Sequence, residues 1–88
     1  MILVIDVGNT EIVLGLFAHK KLVADWQLAS DKHRTADEYG IVIKTLLKSK
    51  NVDYDKIKAV ALSSVVPPLT PIFTSMSRTY FGADPLVV

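Results

Sequence analysis

The fold of this chain is decided by residues 2–17, ILVIDVGNTEIVLGLF, in which two apolar runs flank one short polar turn. Residues 1–6 and 11–18 are each predicted to form a β-strand, because apolar residues dominate both and the intervening Asp6–Thr10 holds turn-forming Asp, Gly and Asn. Apolar residues on both faces of 12–17 indicate an internal strand. The stretch therefore predicts a hairpin in the middle of a sheet.

A third strand is predicted after a second turn at residues 18–21. Apolar and polar residues alternate there, which is typical of a strand with one solvated face. The predicted core side consists of Leu22, Ala24, Trp26 and Leu28. Trp26 is thus expected to pack in the core and not to serve as a stacking surface. Three consecutive strands joined by short turns form an antiparallel meander.

Two helices have recognisable ends. Thr35–Glu38 matches a capping box, which opens a helix. Its apolar stripe is Tyr39, Val42, Ile43, Leu46 and Leu47. A second helix is predicted to begin with Thr70 as its N-cap and Pro71 at its first position, and to end at Gly82. Its stripe is Ile72, Phe73, Met76 and Tyr80.

Two more strands complete the predicted sheet: a buried strand at Ala59–Leu62 and a buried fifth strand at Pro85–Val88. The resulting order is β-β-β-α-β-α-β. Strands that alternate with helices pair in parallel through right-handed crossovers, so the prediction is an α/β fold with a mixed sheet. This is the ribonuclease-H-like order without its usual last helix.

Composition narrows the function classes. With 88 residues the chain forms at most one domain, its net charge is +1, and no lysine or arginine run exceeds two residues. This is not the basic pattern of a nucleic-acid-binding protein. The absence of cysteine excludes disulfides and thiolate metal sites. The first strand is broken by Asp6 too early for a membrane span or a signal peptide. We expect a cytoplasmic protein that binds neither nucleic acid nor membrane.

The turn Asp6–Thr10 is the main candidate for function. Its carboxylate, glycine, amide and hydroxyl suit a phosphate chain with a divalent metal, because such metals prefer oxygen ligands and clustered backbone N–H groups bind anions. The same residues are also ordinary in an Asx-type hairpin turn. Taken alone, the five residues fit both interpretations equally.

Several segments together resemble one known family. They are Asp6–Thr10 followed by Val13–Gly15, Arg34–Tyr39, Ser63–Leu69, Tyr80–Gly82 and Pro85–Val88. The chain is similar to the N-terminal part of type III pantothenate kinases. That family belongs to the superfamily of acetate and sugar kinases, Hsp70 and actin, so half of an actin-like ATPase fold is implied.

The resemblance implies a two-domain enzyme that phosphorylates pantothenate with ATP, in the first step of coenzyme A biosynthesis. It further implies Mg²⁺, a monovalent cation (K⁺ or NH₄⁺) and a homodimer. Residues 1–88 are expected to be a truncated N-terminal ribonuclease-H-like domain, with the second domain absent. The catalytic base, the monovalent-cation ligand and most of the pantothenate pocket belong to later family motifs. No catalytic residue is therefore assigned here, and this chain alone is expected to be inactive.

The family's first phosphate-binding loop falls on Asp6, Val7, Gly8, Asn9, Thr10, Glu11, Ile12 and Val13. By this resemblance Asp6 would hold the magnesium ion, through water. Glu11 departs from the family pattern, because its carboxylate would repel a polyphosphate unless it pointed away or shared the metal. In a strand it points opposite to Thr10, toward solvent.

Alternative functions remain open. The chain could be a non-catalytic nucleotide-binding fragment or a regulatory homologue of the family. An actin-like or Hsp70-like ATPase is a third class, which Arg34–Tyr39 and Ser63–Leu69 do not resemble.

Other polar residues favour structural roles. Ser63 and Ser64 end a strand where ligands bind in α/β sheets, but bonding to the next loop is the favoured interpretation. Arg34 is expected to pair with Asp31 or Asp37 more readily than with phosphate or a partner subunit. His19 and His33 are expected to be solvated.

Overall fold

The computed structural model describes residues 1–88 as one five-stranded sheet with two helices packed against a single face. The strands in chain order are β1 (Ile2–Val7), β2 (Glu11–Ala18), β3 (Lys21–Ala29), β4 (Ala59–Ser64) and β5 (Leu86–Val87). The helices are α1 (Ala36–Ser49) and α2 (Thr70–Phe81), and a short 3-10 turn at Tyr54–Lys56 precedes β4. Neither helix has the length and apolar character needed to cross a lipid bilayer.

The strands lie in the spatial order β3-β2-β1-β4-β5. β1–β2 and β2–β3 are antiparallel pairs, whereas β1–β4 and β4–β5 are parallel, so the predicted mixed sheet is confirmed. β1 and β4 both end at one edge of the sheet, at Val7 and Ser64. We call this the carboxyl edge. The turn at residues 8–10 lies there, because it directly follows β1.

Alternate strand residues and one stripe of each helix form a single hydrophobic core. Leu3, Ile5 and Val7 of β1 are fully buried, because their side chains all point to the helix-covered face. Tyr39 of α1 and Phe73 of α2 meet beneath the sheet with ring centroids 4.6 Å apart. The remaining fully buried large side chains are Ile12, Leu14, Leu16, Ile43, Leu47, Leu62, Leu69 and Met76.

The opposite face of the sheet, which we call the open face, carries no helix. Its apolar side chains are partly solvated, and Ile2 remains 47% exposed. The prediction that β4 is wholly buried is wrong: Val60 and Leu62 are buried, while Ala61 points to the open face. β5 is likewise not buried, since Leu86 is 71% exposed. The difference in β4 arises because only one face of the sheet is covered, whereas β5 is a two-residue edge strand whose residues are both exposed.

Strand β3 contains an irregularity that alternation could not predict. Leu16 pairs with Ala24 but Phe17 pairs with Leu22, so Val23 is an extra residue at a bulge. The bulge moves Leu22 to the open face, where its Cδ1 would lie 3.4 Å from a Cβ placed on Gly15. The core face of β3 therefore consists of Ala24, Trp26 and Leu28, without Leu22.

The ends of the helices confirm most of the predicted caps. Thr35 and Glu38 form the reciprocal bonds of a capping box, and Gly82 ends α2 with a left-handed φ of 62°. The start of α2 differs, because Leu69, and not Thr70, is the N-cap. The Leu69 side chain is fully buried, which fixes the backbone one residue earlier than the Thr-Pro pattern indicates.

The two helices touch closely at one point. The Tyr80 ring of α2 lies directly over Gly40 of α1, and a Cβ at Gly40 would lie 2.7 Å from three atoms of that ring. The Tyr80 hydroxyl donates a hydrogen bond over 2.9 Å to Oδ1 of Asp37, which precedes Gly40 by about one turn of α1. Gly40 is therefore required for space, since its φ is not positive.

Candidate functional site

The turn at the carboxyl edge joins β1 to β2 through Gly8, Asn9 and Thr10. The Gly8 N–H donates to the Glu11 carbonyl over 3.0 Å, which closes the hairpin. Ser30, just after β3, donates its N–H to the Thr10 carbonyl over 3.0 Å. The turn is therefore held on both sides by backbone bonds, and its position relative to the sheet is fixed.

The amide groups of this turn are available to a ligand. The N–H groups of Asn9 and Thr10 make no hydrogen bond within the chain, and both residues are exposed. Two successive unpaired N–H groups in a turn provide partial positive charge of the kind that binds anions. An ordinary Asx-type turn would have an Asx side chain bonded to a nearby backbone N–H. Neither Asp6 nor Asn9 makes such a bond, so this turn is not an Asx turn.

Gly8 has a steric role in the turn. Its φ is not positive, so a left-handed conformation does not require glycine. A Cβ at this position would lie 3.0 Å from the Glu11 carbonyl oxygen, the same atom that accepts the Gly8 N–H. A side chain would push the two backbones apart. Glycine therefore keeps the hairpin tight where a polyphosphate would approach the backbone.

The predicted site residues divide between the two faces of the sheet. Val7 and Ile12 are fully buried in the core and offer only backbone atoms. Asp6 and Val13 are register partners on the open face, and both are exposed. Glu11 is also exposed, as predicted, and lies on this same face because it alternates with Ile12.

A row of side chains crosses the open face at the level of Asp6. Asp6 pairs with Ser63 of β4 on one side and with Val13 of β2 on the other. Val13 in turn pairs with Gln27 of β3. Val13 and Gln27, with Asp25 and Trp26, line a shallow groove of about 290 Å³. A larger groove of about 550 Å³ lies at the distant end of β1 and β2, so it is separate from the turn.

The donor set near the turn fits magnesium that arrives with phosphate. No three His, Cys, Asp or Glu side chains cluster within residues 1–88, so these residues by themselves form no complete cage. Mg²⁺ is usually held by one or two carboxylates together with phosphate oxygens and water. Asp6 satisfies that requirement, because it is exposed at a strand end beside the unpaired N–H groups.

The two serines at the end of β4 have different environments. The Ser64 hydroxyl bonds both to the N–H and to the carbonyl of Val66, each over 3.1 Å, in agreement with the structural interpretation. The Ser63 hydroxyl makes no hydrogen bond within the chain. Consecutive strand residues point to opposite faces, so Ser63 lies on the open face with Asp6.

Arg34 does not pair with an acid, so that prediction is wrong. The Asp31 carboxylate accepts from the His33 N–H instead, and the Asp37 carboxylate accepts from Tyr80. The Arg34 guanidinium carbon lies 5.9 Å from the Tyr39 ring centroid, a cation–π distance. His19 and His33 are exposed, as predicted.

The comparisons with known proteins identify the family. Residues 2–88 match the family model of the type III pantothenate kinases. The chain belongs to the type III pantothenate kinase family. Proteins of that name from Geobacter sulfurreducens and Moorella thermoacetica are 54% and 48% identical to this chain over all 88 residues. The aligned region is 34% and 35% of those relatives, so the chain spans about one third of their length.

A solved structure supports the fold of this pantothenate kinase family member. A protein from Porphyromonas gingivalis named as an N-acetylglucosamine kinase superposes with a TM-score of 0.69. It is 18% identical, and the match covers 100% of this chain and 33% of that one. At this identity the likeness concerns the fold alone, and it confirms the predicted half of an actin-like kinase fold.

Proposed function

We propose that this chain provides the first phosphate-binding loop of an enzyme that transfers a phosphoryl group from ATP to pantothenate, the first step of coenzyme A biosynthesis. Membership of the type III family over residues 2–88 supports the reaction. The observation that carries the role of this chain is the turn itself, with two unpaired N–H groups beside an exposed carboxylate.

In this proposal the turn binds and neutralises the polyphosphate. The N–H groups of Asn9 and Thr10 donate to phosphate oxygens, with the Thr10 hydroxyl and the Asn9 amide as further donors. Asp6 would hold magnesium through water, and the metal would supply charge neutralisation for the polyphosphate. Phosphoryl transfer depends mainly on positioning and charge neutralisation, and a rigid turn provides both. The Glu11 carboxylate is exposed, and in this proposal it points into solvent and away from the phosphates.

The remaining parts of the reaction are proposed for the portion of the relatives' length that this chain does not span. They are the base that accepts the hydroxyl proton of pantothenate, the site for K⁺ or NH₄⁺ and most of the pantothenate pocket. A homodimer and a cytoplasmic location also belong to this proposal for the complete enzyme. For the 88-residue chain we propose binding without turnover.

Titration of the ¹⁵N-labelled chain with MgATP tests the binding role. We expect shifts at millimolar nucleotide to be concentrated in the amides of residues 6–13. Asp6→Asn should remove most of the magnesium-dependent part of the response. Asp25→Asn is a matched control, since it removes the same charge from another exposed position on the open face. A wild-type chain whose residues 6–13 do not respond would contradict the proposal.

Turnover tests the role of Asp6 in a protein of the relatives' full length that carries this sequence. Asp6→Asn should lower kcat at least about 100-fold, because loss of one metal-holding carboxylate removes several kcal/mol of charge stabilisation. Its unfolding midpoint should change little, since Asp6 is exposed and makes no side-chain bond. Turnover close to the wild-type value would rule out the metal role.

A further inference from the structure

Ser63 is the register partner of Asp6, and its hydroxyl makes no hydrogen bond within the chain. In the parallel register of β1 and β4, Asp6 and Ser63 are direct partners, so their side chains point to the same face from strands about 4.8 Å apart. Ser63 is half-buried, which restricts its side chain without closing it to solvent. Its neighbour Ser64 already provides the hydrogen bonds that hold the following loop.

We infer that Ser63 is a positioning residue of the same site, whose hydroxyl holds a water ligand of the magnesium ion that Asp6 binds. This inference rests on the proposed function of the turn. Mg²⁺ dehydrates reluctantly and keeps several water ligands, which need hydrogen-bonding partners on the protein. Such partners orient the bound metal and contribute measurably to its affinity.

The neighbouring positions leave Ser63 as the available partner. On the other side of Asp6, the register partner is Val13, whose side chain cannot hydrogen-bond. Gln27 lies one strand further away, so two strand spacings separate it from Asp6. Of the two register partners of Asp6, Ser63 is therefore the polar one.

Binding of MgATP and of metal-free ATP, measured separately by amide shifts of the 88-residue chain, tests this inference. We expect Ser63→Ala to weaken MgATP binding about three- to tenfold, the effect of one hydrogen bond, with metal-free ATP binding unchanged. Ser63→Thr retains the hydroxyl and should restore MgATP affinity. Ser64→Ala, the matched control, should lower the urea midpoint while leaving the ratio of the two affinities unchanged.

Each other outcome has a defined meaning. Equal weakening of MgATP and metal-free ATP by Ser63→Ala would place the hydroxyl on phosphate and overturn the inference. Unchanged affinities in Ser63→Ala, beside a wild type that binds MgATP, would overturn the inference alone. A wild-type chain that does not respond to MgATP would overturn the proposed function, and the role of Ser63 with it.

Discussion

The contact between Gly40 and Tyr80 gives a sharp prediction about the stability of this chain. In a solvated helix, Gly→Ala stabilises by about 1 kcal/mol because alanine loses less backbone entropy. Here the new Cβ would lie 2.7 Å from the Tyr80 ring, which must recede by about 0.7 Å to restore an ordinary contact of 3.4 Å. Tyr80 is anchored by its bond to Asp37, which lies on the same helix as Gly40. Recession of the ring therefore strains that bond.

Overpacking of this kind costs about 1–3 kcal/mol, and the gain in helix propensity offsets part of it. We expect Gly40→Ala to lower the free energy of unfolding by up to about 2 kcal/mol, which corresponds to a fall in Tm of up to roughly 16 °C for a domain of this size. Urea unfolding followed by fluorescence provides the assay, because Trp26 is the only tryptophan and packs against the core.

The Tyr80→Ala background provides the decisive control. The three atoms nearest to the new Cβ all belong to this ring, so without it Gly40→Ala should stabilise by about 1 kcal/mol. The sign of the effect is therefore expected to reverse between the two backgrounds. Stabilisation by Gly40→Ala in the wild type, or the same sign in both backgrounds, would refute the steric reasoning.

Two further predictions concern the first helix and its contact. Thr35→Ala removes the side chain that accepts the Glu38 N–H, and should cost about 1 kcal/mol in urea unfolding. A loss no larger than that of the exposed control Ser75→Ala would contradict the role of the cap. The pKa of Tyr80 is raised above its ordinary value of 10.0, mainly because its hydroxyl donates to the Asp37 carboxylate, with desolvation and charge repulsion adding to the effect. The stabilisation that the Tyr80–Asp37 hydrogen bond contributes is thus complete below pH 10, and it is lost as pH rises through the higher pKa of the folded state. The difference in unfolding free energy between wild type and Tyr80→Phe should stay constant from pH 7 to 9 and shrink at higher pH; a difference that grows would show the opposite sign of coupling.

Local structure is predicted well wherever its determinants lie close together in the chain. The capping box at Thr35–Glu38 and the αL glycine at 82 act through bonds within a few residues, so the sequence alone shows them. The predicted start of α2 is wrong because burial of Leu69 in the core, a tertiary effect, outweighs the local Thr-Pro signal. The predicted face of Leu22 is wrong because a bulge depends on the pairing of two strands and not on one strand's alternation.

The candidate site shows the same division. Asp6, Gly8 and Thr10 lie within five residues of one another, so their types and spacing are enough to make the turn a candidate for phosphate binding. Ser63 is 57 residues from Asp6 in the sequence, and only the register of β1 and β4 makes the two neighbours. The structural interpretation of both serines holds for Ser64 alone, because side-chain parity sends the two hydroxyls to opposite faces.

The sequence by itself therefore determined the element order, the capping box of α1 and the glycine that ends α2, because each depends on short-range spacing and residue type. Only the tertiary structure decided which face of the sheet is covered, where β3 bulges and which hydroxyl stands beside Asp6. These features depend on strand register and on packing between distant segments. A shift of one residue in register would send every side chain of a strand to the other face, and no local pattern specifies that choice completely.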